Sequence, residues 1–342
     1  MLQAADIVIR LNPADDVVIA RVEIPAGTML LRENVRSAVK VAPGHKIAVR
    51  DVKSGAPVRR YNQLIGFATR DIRAGDHVHV HNLGMGDRDG AHGAPDPMLG
   101  RDYAFCVDAK PTQAITPQAT FDGIVRPDGR VATRNYVGII TSVNCSATVA
   151  RLIARKFENR LDDYPNVDGV VALTHKTGCG MASDGEAIDL LRRTTAGYIR
   201  HANFHSVLLV GLGCEANQIN ELLAAEGLTR SGRLHAYSIQ DKGGTPKAVE
   251  EGVARIKALL PEADRVKRET IPVSEIMLAL QCGGSDGYSG ITANPALGYA
   301  ADLLVEQGGT AVLCETPEIY GAEHLLTRRA ADRKSTRLNS SH

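Results

Sequence analysis

Net charge is what this chain of 342 residues has least of: 40 lysines and arginines stand against 39 aspartates and glutamates, a formal balance of +1. That balance gives no electrostatic reason to bind nucleic acid or an anionic membrane surface. No apolar run approaches the ~20 residues of a bilayer span, and the first thirty residues lack a charged start, an apolar core and a cleavage site. Six cysteines are too few for a disulfide scaffold at this length. In a reducing compartment they read as metal-binding, catalytic or buried thiols. Nor is there a G-x-x-x-x-G-K-[ST] phosphate loop, and the one partial dinucleotide fingerprint, "GLGCEAN", has Asn217 where the third glycine belongs. These absences point to a soluble cytoplasmic protein with a small-molecule substrate and no nucleic-acid or membrane partner. Homo-oligomerisation stays open.

The length exceeds that of one typical domain. Residues 1–83 predict a small all-β domain, because "DIVIRL", "DVVIARVEI", "HKIAVRDV" and "HVHVH" are β-rich and hold no helical stripe. A weak repeat punctuates them: "EIPAG" at 23–27, "DVKSG" at 51–55 and "DIRAG" at 71–75 each end in glycine, as expected where a strand gives way to a turn of positive φ. Residues 84–120, rich in Gly, Pro and Asp, read as a linker. Residues 121–331 predict an α/β domain with a mostly parallel, Rossmann-like sheet. A hairpin turning at Pro127, Asp128 and Gly129 opens it. Then apolar strands ("YVGIITSV", "GVVALT", "VLLVGL", "LHAYSI", "IMLALQ", "TAVLCE") alternate with helical stretches near 146–160, 184–202, 216–226, 245–260, 296–307 and 321–331. Residues 332–342, with "KSTRLNSSH" at their core, are polar without periodicity and read as a cloning or assembly scar. The native chain is therefore expected to continue, and the α/β domain to be incomplete.

Two patterns carry chemistry. In "RAGDHVHVHN", His77, His79 and His81 fall on every second residue, which on a strand aims three imidazoles one way. That is either a metal site or an unusually wet strand face. Separately, Cys145, Cys179, Cys214, Cys282 and Cys314 each stand at or just past the C-terminal end of a predicted strand, the edge where open α/β sheets bind ligands. Glycines beside them would let backbone N–H groups approach a carboxylate or phosphate. Cys179, Cys214 and Cys282 could ligate an iron–sulfur cluster without the compact spacing of ferredoxins. A single hard or borderline divalent ion ranks above it.

The blocks "GHKIAVRDV", "GDHVHVHN", "TRNYVGI", "VNCS", "HKTGCG", "GLGCE", "CGGSDGYSGITANPALG" and "ETPEIYGAEHLL" resemble the altronate/galactarate dehydratase family of sugar-acid hydro-lyases, closest to its altronate branch. The resemblance runs from residue 1 to about 331 and implies an N-terminal SAF-type β-clip domain. It also implies a divalent metal, typically iron(II) with manganese(II) as substitute, and dehydration of D-altronate to 2-keto-3-deoxy-D-gluconate. His77, His79 and His81 would supply the metal ligands, two binding and the third supporting, with Asn82 or a sugar-acid oxygen completing the shell. The proton-transfer candidates are His45 and His175, with Lys46 and Lys176 as partners and Cys179 as a catalytic thiol. Arg134, Asn135, Cys145, Cys214, Glu215, Cys282, Ser285, Asp286, Asn294 and Glu315 would orient the substrate, the Arg134 fork suiting its carboxylate. The plain alternatives are structural histidines and a surface ion pair for Arg134. Related functions within reach are a galactarate or (R)-sulfolactate lyase and a non-catalytic sugar-acid-binding protein.

Overall fold

The computed structural model describes residues 7–85, 115–284, 286–319 and 322–327. Most of the linker, Ser285 and the 332–342 tail lie outside the described residues. The chain divides into two compact units, one formed by Met1–Thr116 with Met277–His342 and the other by Pro117–Ile276.

The first unit begins with nine short strands: β1 (Val8–Ile9), β2 (Val17–Ala20), β3 (Met29–Leu30), β4 (Val35–Arg36), β5 (Lys46–Ala48), β6 (Pro57–Arg60), β7 (Gln63–Ala68), β8 (His77–Val78) and β9 (Leu83–Gly84). They form an antiparallel sheet in the order β1-β2-β5-β8, a three-stranded sheet β6-β7-β9 and the β3-β4 pair. The expected all-β module is therefore present. All four residues of β2 are buried. Val17 enters one apolar cluster with Ala48, Val52 and Ile72, while Val18 and Ala20 enter another with Ile24, Leu30 and Ile47, as the two-residue period of a strand requires. The repeat has its expected geometry, with Gly27, Gly55 and Gly75 at φ +80°, +78° and +94°. Just ahead of those turns Ile24 bridges Val41, and Val52 bridges Ile72.

In the second unit β10 (Thr120–Val125) pairs antiparallel with β11 (Val131–Ala132), giving the expected hairpin, and on its other side with β16 (Glu269–Pro272). Four apolar strands, β12 (Tyr136–Thr141), β13 (Gly169–Leu173), β14 (Phe204–Gly211) and β15 (Leu234–Ser238), make a parallel sheet in the order β13-β12-β14-β15. Four helices cover it: α1 (Ala147–Arg155), α2 (Glu186–Ile199), α3 (Ile219–Ala225) and α4 (Thr245–Ala263). On one face Leu208 and Val210 pack with Ile153 of α1 and Ile256 of α4; on the other Val207 and Leu209 pack with Ile199 of α2 and Leu222 of α3. Burial on both faces is why these strands read as unbroken apolar runs. This is a mixed α/β unit built on a parallel sheet.

The last two apolar strands do not join that sheet. β17 (Met277–Leu280) and β18 (Thr310–Leu313) form a two-stranded parallel sheet of their own within the first unit, joined through α5 (Ala293–Glu306) and followed by α6 (Glu323–Thr327). Among the described residues no helix is long and apolar enough to cross a membrane.

Candidate functional site

The histidine segment departs from the expected strand. β8 ends at Val78, and the chain turns at once: the Asn82 and Leu83 N–H groups both donate to the His79 carbonyl at 2.9 Å. The buried Asn82 is spent on this turn, its Oδ1 accepting from His79 N at 3.0 Å and its Nδ2 donating to the His77 carbonyl at 3.0 Å. Asn82 is therefore an organiser of this turn. The imidazoles nevertheless gather, with ring centroids 5.5 Å apart for His77 and His79 and 5.4 Å for His77 and His81.

A fourth ring completes the group. Antiparallel pairing of β5 with β8 sets Ile47 opposite His77, and His45, just before β5, brings its Nδ1 to 2.8 Å from His77 Nε2. Its ring also lies 5.1 Å from that of His79. Burial first, and then the neighbouring His45, His81, His79 and Lys46 charges, push the His77 pKa down to about 4. His45 is lowered too, by burial and then by His79 and Lys46. These rings are neutral near pH 7, with lone pairs to offer. Lys46 is held below its ordinary value by burial and by nearby Arg60.

Two ligand nitrogens at right angles on one divalent ion, each 2.0–2.1 Å from it, would stand about 2.9 Å apart. The His45–His77 separation fits that spacing, and the donor type suits a borderline ion. Among the described residues, however, no group of three or more His, Cys, Asp or Glu is arranged to hold a metal. The protein thus offers an imidazole pair with two further rings beside it, and not a closed shell.

The glycine-rich loop after β17 is seated on the turn that carries His45. Gly44 and Gly287 meet backbone to backbone, so closely that a Cβ on Gly44 would lie 3.0 Å from the Gly287 Cα. Two tyrosines clip the loop down: Tyr288 donates its hydroxyl to the Arg21 carbonyl at 2.9 Å, and Tyr61 donates to the Gly290 carbonyl. Asp286 shapes the loop from within, its Oδ1 accepting from the Tyr288 and Ser289 N–H groups at 2.7 and 2.9 Å. Beside Gly290 lies Arg60, whose buried Nε and Nη2 have no hydrogen-bond partner. Next to the loop opens a cleft of about 830 Å³ lined by Cys282, Gly283, Gly284, Asp286, Asn294, Cys314 and Glu318, among others. Glu315, at φ +61°, holds the cleft's rim by accepting from Gln281 Nε2 and Cys282 N at 3.0 and 3.2 Å.

In the second unit the turns after β12, β13 and β14 converge. Asn144 N donates to the Thr177 carbonyl at 2.8 Å, and Asn217 N to the Gly178 carbonyl at 3.4 Å. Cys145, Cys179 and Cys214 ride on these three turns and all are exposed. Glu215 is turned inward and 3% exposed, its Oε1 accepting from Ser142 Oγ and Leu212 N at 2.8 and 3.1 Å and its Oε2 from Gly213 N at 2.5 Å. It braces the turn instead of facing a substrate. His175 is similarly occupied: Nδ1 accepts from Thr177 N at 3.3 Å, which leaves Nε2 to donate to the Thr141 carbonyl at 2.9 Å. With both ring nitrogens engaged it is a poor general base.

Arg134 and Asn135 precede β12, so the length of that strand separates them from the thiol-bearing edge. Six residues at about 3.3 Å each span ~20 Å. Asn135 is fully buried, donating to the Asn166 and Ala263 carbonyls at 2.7 and 2.8 Å and accepting from Arg126. It is a structural amide, and Arg134 is an exposed neighbour. The groups missed in the sequence are Arg60 and the membership of His45 in the imidazole cluster. No motif spacing encodes either, since strand register creates both.

Residues 6–86 match the altronate/galactarate dehydratase SAF domain, residues 123–264 the second domain of D-galactarate dehydratase/altronate hydrolase, and residues 273–339 the C-terminal domain of D-galactarate/altronate dehydratase. The last match takes in residues 332–339. Altronate dehydratase of Bacillus subtilis (strain 168) is 35% identical over 329 residues, covering 95% of this chain and 63% of the relative. Altronate dehydratase of Escherichia coli (strain K12) is 34% identical over 328 residues with the same coverage. Galactarate dehydratase (L-threo-forming) of Escherichia coli (strain K12) is 34% identical over 301 residues, 85% of this chain and 55% of the relative. The chain thus spans 63% of the length of the altronate dehydratases it matches.

Proposed function

Because the chain belongs to the altronate/galactarate dehydratase family, we propose that it is a divalent-metal-dependent hydro-lyase of the cytoplasm that dehydrates D-altronate to 2-keto-3-deoxy-D-gluconate. The observation that carries this reading is the seating of the "CGGSDGYSG" loop on the His45 turn through Gly44 and Gly287. It unites a metal-type donor set, two cations and a substrate-sized cleft in one unit of the fold.

Dehydration removes the proton α to the carboxylate, expels the C3 hydroxyl and lets the enol become a ketone. The α-proton is very weakly acidic, so charge developing on the carboxylate oxygens needs support. An iron(II) or manganese(II) ion, when bound, would supply Lewis-acid stabilisation of that charge. His45 and His77 are the residues suited to hold it, with His79 and His81 alongside. Arg60, whose buried Nε and Nη2 have no hydrogen-bond partner, suits the carboxylate end of the substrate through its planar fork. Lys46 Nζ, desolvated beside the imidazoles, is the base we assign to the α-proton. Asn294 and Glu318 in the cleft wall suit the polyol hydroxyls.

The test is a keto-acid assay on reduced, iron(II)-loaded protein with D-altronate, galactarate and sulfolactate. Keto acid should form from altronate, stop on chelation and return with iron. Absence of product from altronate under these conditions sinks the assignment, and turnover of galactarate alone moves it to that branch of the family. His77→Ala should lower bound iron tenfold or more, the scale on which losses around a metal site fall. Unchanged iron content would remove the imidazole cluster from the metal site.

A further inference from the structure

None of the residues around a smaller cavity in the second unit enters that mechanism. The end of α2, the first residues of β14 and β15 and the segment after α3 enclose about 230 Å³. These are the starts of the parallel strands, so the eight residues of β14, ~26 Å at about 3.3 Å each, separate the cavity from the thiol-bearing edge. Ile199, Phe204 and Leu234 give it an apolar floor continuous with the core. Arg130, Arg200 and Arg233 line it as well, and among the described lining residues there is no aspartate or glutamate. The guanidinium groups are held by carbonyl oxygens. Arg233 donates Nε and Nη2 to the His205 and Phe204 carbonyls, both at 2.9 Å. Arg130 donates Nη1 to the Arg200 carbonyl, and Arg200 donates Nη2 to the Glu226 carbonyl. A neutral carbonyl fixes the direction of a guanidinium without cancelling its charge. The carboxylates that could cancel it are few. Asp128 Oδ2 takes Arg130 at 2.7 Å and has Arg233 at 3.6 Å, so one carboxylate serves two cations. The Glu226 carboxylate stands 3.7 Å from Arg200, beyond hydrogen-bonding distance.

Cations so placed repel one another, and the buried Arg126 beside them registers it: burial first, and then Arg233, push its pKa down to about 10, with Arg130 and Arg268 adding to the effect and Asp128 opposing it. An oxyanion in the cavity would relieve that repulsion. Two features set its type. Three guanidinium groups can offer donors to three oxygens, which a phosphate group has and a carboxylate does not. The apolar floor suits a short carbon stem. We propose that this cavity is a binding site for a small phosphomonoester, borne wholly on the second unit at the sheet edge opposite to the thiols. Its arginines come from three separate stretches: Arg130 from the hairpin between β10 and β11, Arg200 from the end of α2 and Arg233 from the residue before β15. The site therefore exists only in the folded unit, and no motif in the sequence announces it.

The test is isothermal titration calorimetry of the full chain with glycerol 3-phosphate, with inorganic phosphate and butyrate as comparison ligands. Glycerol 3-phosphate should bind, inorganic phosphate more weakly, and butyrate more weakly still. Arg130→Gln and Arg200→Gln should each weaken binding about tenfold or more, the scale of a lost charge-assisted hydrogen bond, while keeping the wild-type circular dichroism. Arg151→Gln, whose Nη2 donates to Thr174 Oγ1 at 2.8 Å outside the cavity, should bind as the wild type does. Asp128→Asn removes the carboxylate that competes for Arg130 and Arg233, and keeps an Oδ1 for the Arg130 N–H that it accepts at 3.2 Å. It should bind about threefold tighter, a gain that misfolding cannot produce. No heat from glycerol 3-phosphate at millimolar concentration, wild-type affinity in both Arg130→Gln and Arg200→Gln, weaker binding by Asp128→Asn, or butyrate bound as tightly as the phosphate ester would each overturn the proposal. The mechanism proposed for altronate uses none of these residues, so the outcome is independent of the keto-acid assay.

Discussion

β14 and β17 look alike in sequence, each an apolar run leading into a cysteine- and glycine-bearing turn, yet they meet opposite fates. In β14, Leu208 and Leu209 are fully buried between sheet neighbours and helices on both faces, whereas Met277 of β17 is 72% exposed and Leu313 on its partner strand β18 is 55% exposed. An apolar run therefore announces a strand, but its burial depends on how many elements arrive to cover it. The two turn systems inherit this difference. The thiol-bearing turns stand on a packed four-stranded sheet, while the glycine loop after β17 draws its order from the β-rich N-terminal module, through Gly44, Tyr61 and Arg21.

The largest effect should come from truncating the packed strand. Leu209→Ala removes a fully buried side chain from a cluster that also holds Ile140, Phe204 and Leu222, and should cost about 2–5 kcal/mol in urea unfolding. Leu313→Ala, at an exposed position, should stay within about 0.5 kcal/mol. Equal losses in the two variants would break the comparison at its base.

A smaller but sharper effect is expected at the glycine loop. A Cβ on Gly287 would meet the Gly44 Cα at 2.8 Å and its carbonyl oxygen at 3.0 Å, whereas one on Gly284 would meet nothing within 4 Å. Gly287→Ala should therefore lift the loop from the His45 turn. Displacements of about 1 Å near reacting groups can cost ~100-fold in rate, so altronate turnover should fall on that scale with the second unit's melting unchanged. Gly284→Ala should leave the melting profile as in the wild type. If Gly287→Ala turns over altronate normally, the loop's seating has no bearing on the chemistry.

Local signals were legible where they are set by nearest neighbours along the chain. The three glycine turns, the hairpin at Pro127–Gly129 and the alternation of strand and helix all follow from residues within a few positions of one another. Three things were not local. The register of β5 against β8, which carries His45 to His77 across 32 residues of sequence, depends on which strands pair. The allotment of β17 and β18 to the first unit depends on which neighbours cover them. The inward turn of Asn82, Glu215 and Asn135 could not be read either, since a polar residue beside a strand end has the same spelling whether it faces a ligand or satisfies the backbone. The histidine alternation shows the limit well: it suggested one straight strand, and Asn82 instead folds the segment back at His79 while the rings stay together.

The smallest contrast tests that last ambiguity, at the end of β12 remote from the thiols. Asn135→Ala leaves the Asn166 and Ala263 carbonyls and the Arg126 guanidinium each short of a partner, and a buried polar group so stranded costs about 1–3 kcal/mol. Arg126 has little slack to absorb the loss, since burial already pushes its pKa down to about 10. Among the described residues its side chain keeps the Ala202 and Arg134 carbonyls as acceptors. Arg134→Ala, one residue earlier, removes a side chain whose one hydrogen bond among the described residues is a 3.5 Å contact to the Thr133 carbonyl, and should change stability by less than about 0.5 kcal/mol. Chemical denaturation separates the two, and the keto-acid assay adds a second axis. Asn135→Ala should lower stability without a specific rise in the KM for altronate, and Arg134→Ala should alter neither. A large KM increase in Arg134→Ala alone would return the carboxylate to Arg134 and take it from Arg60.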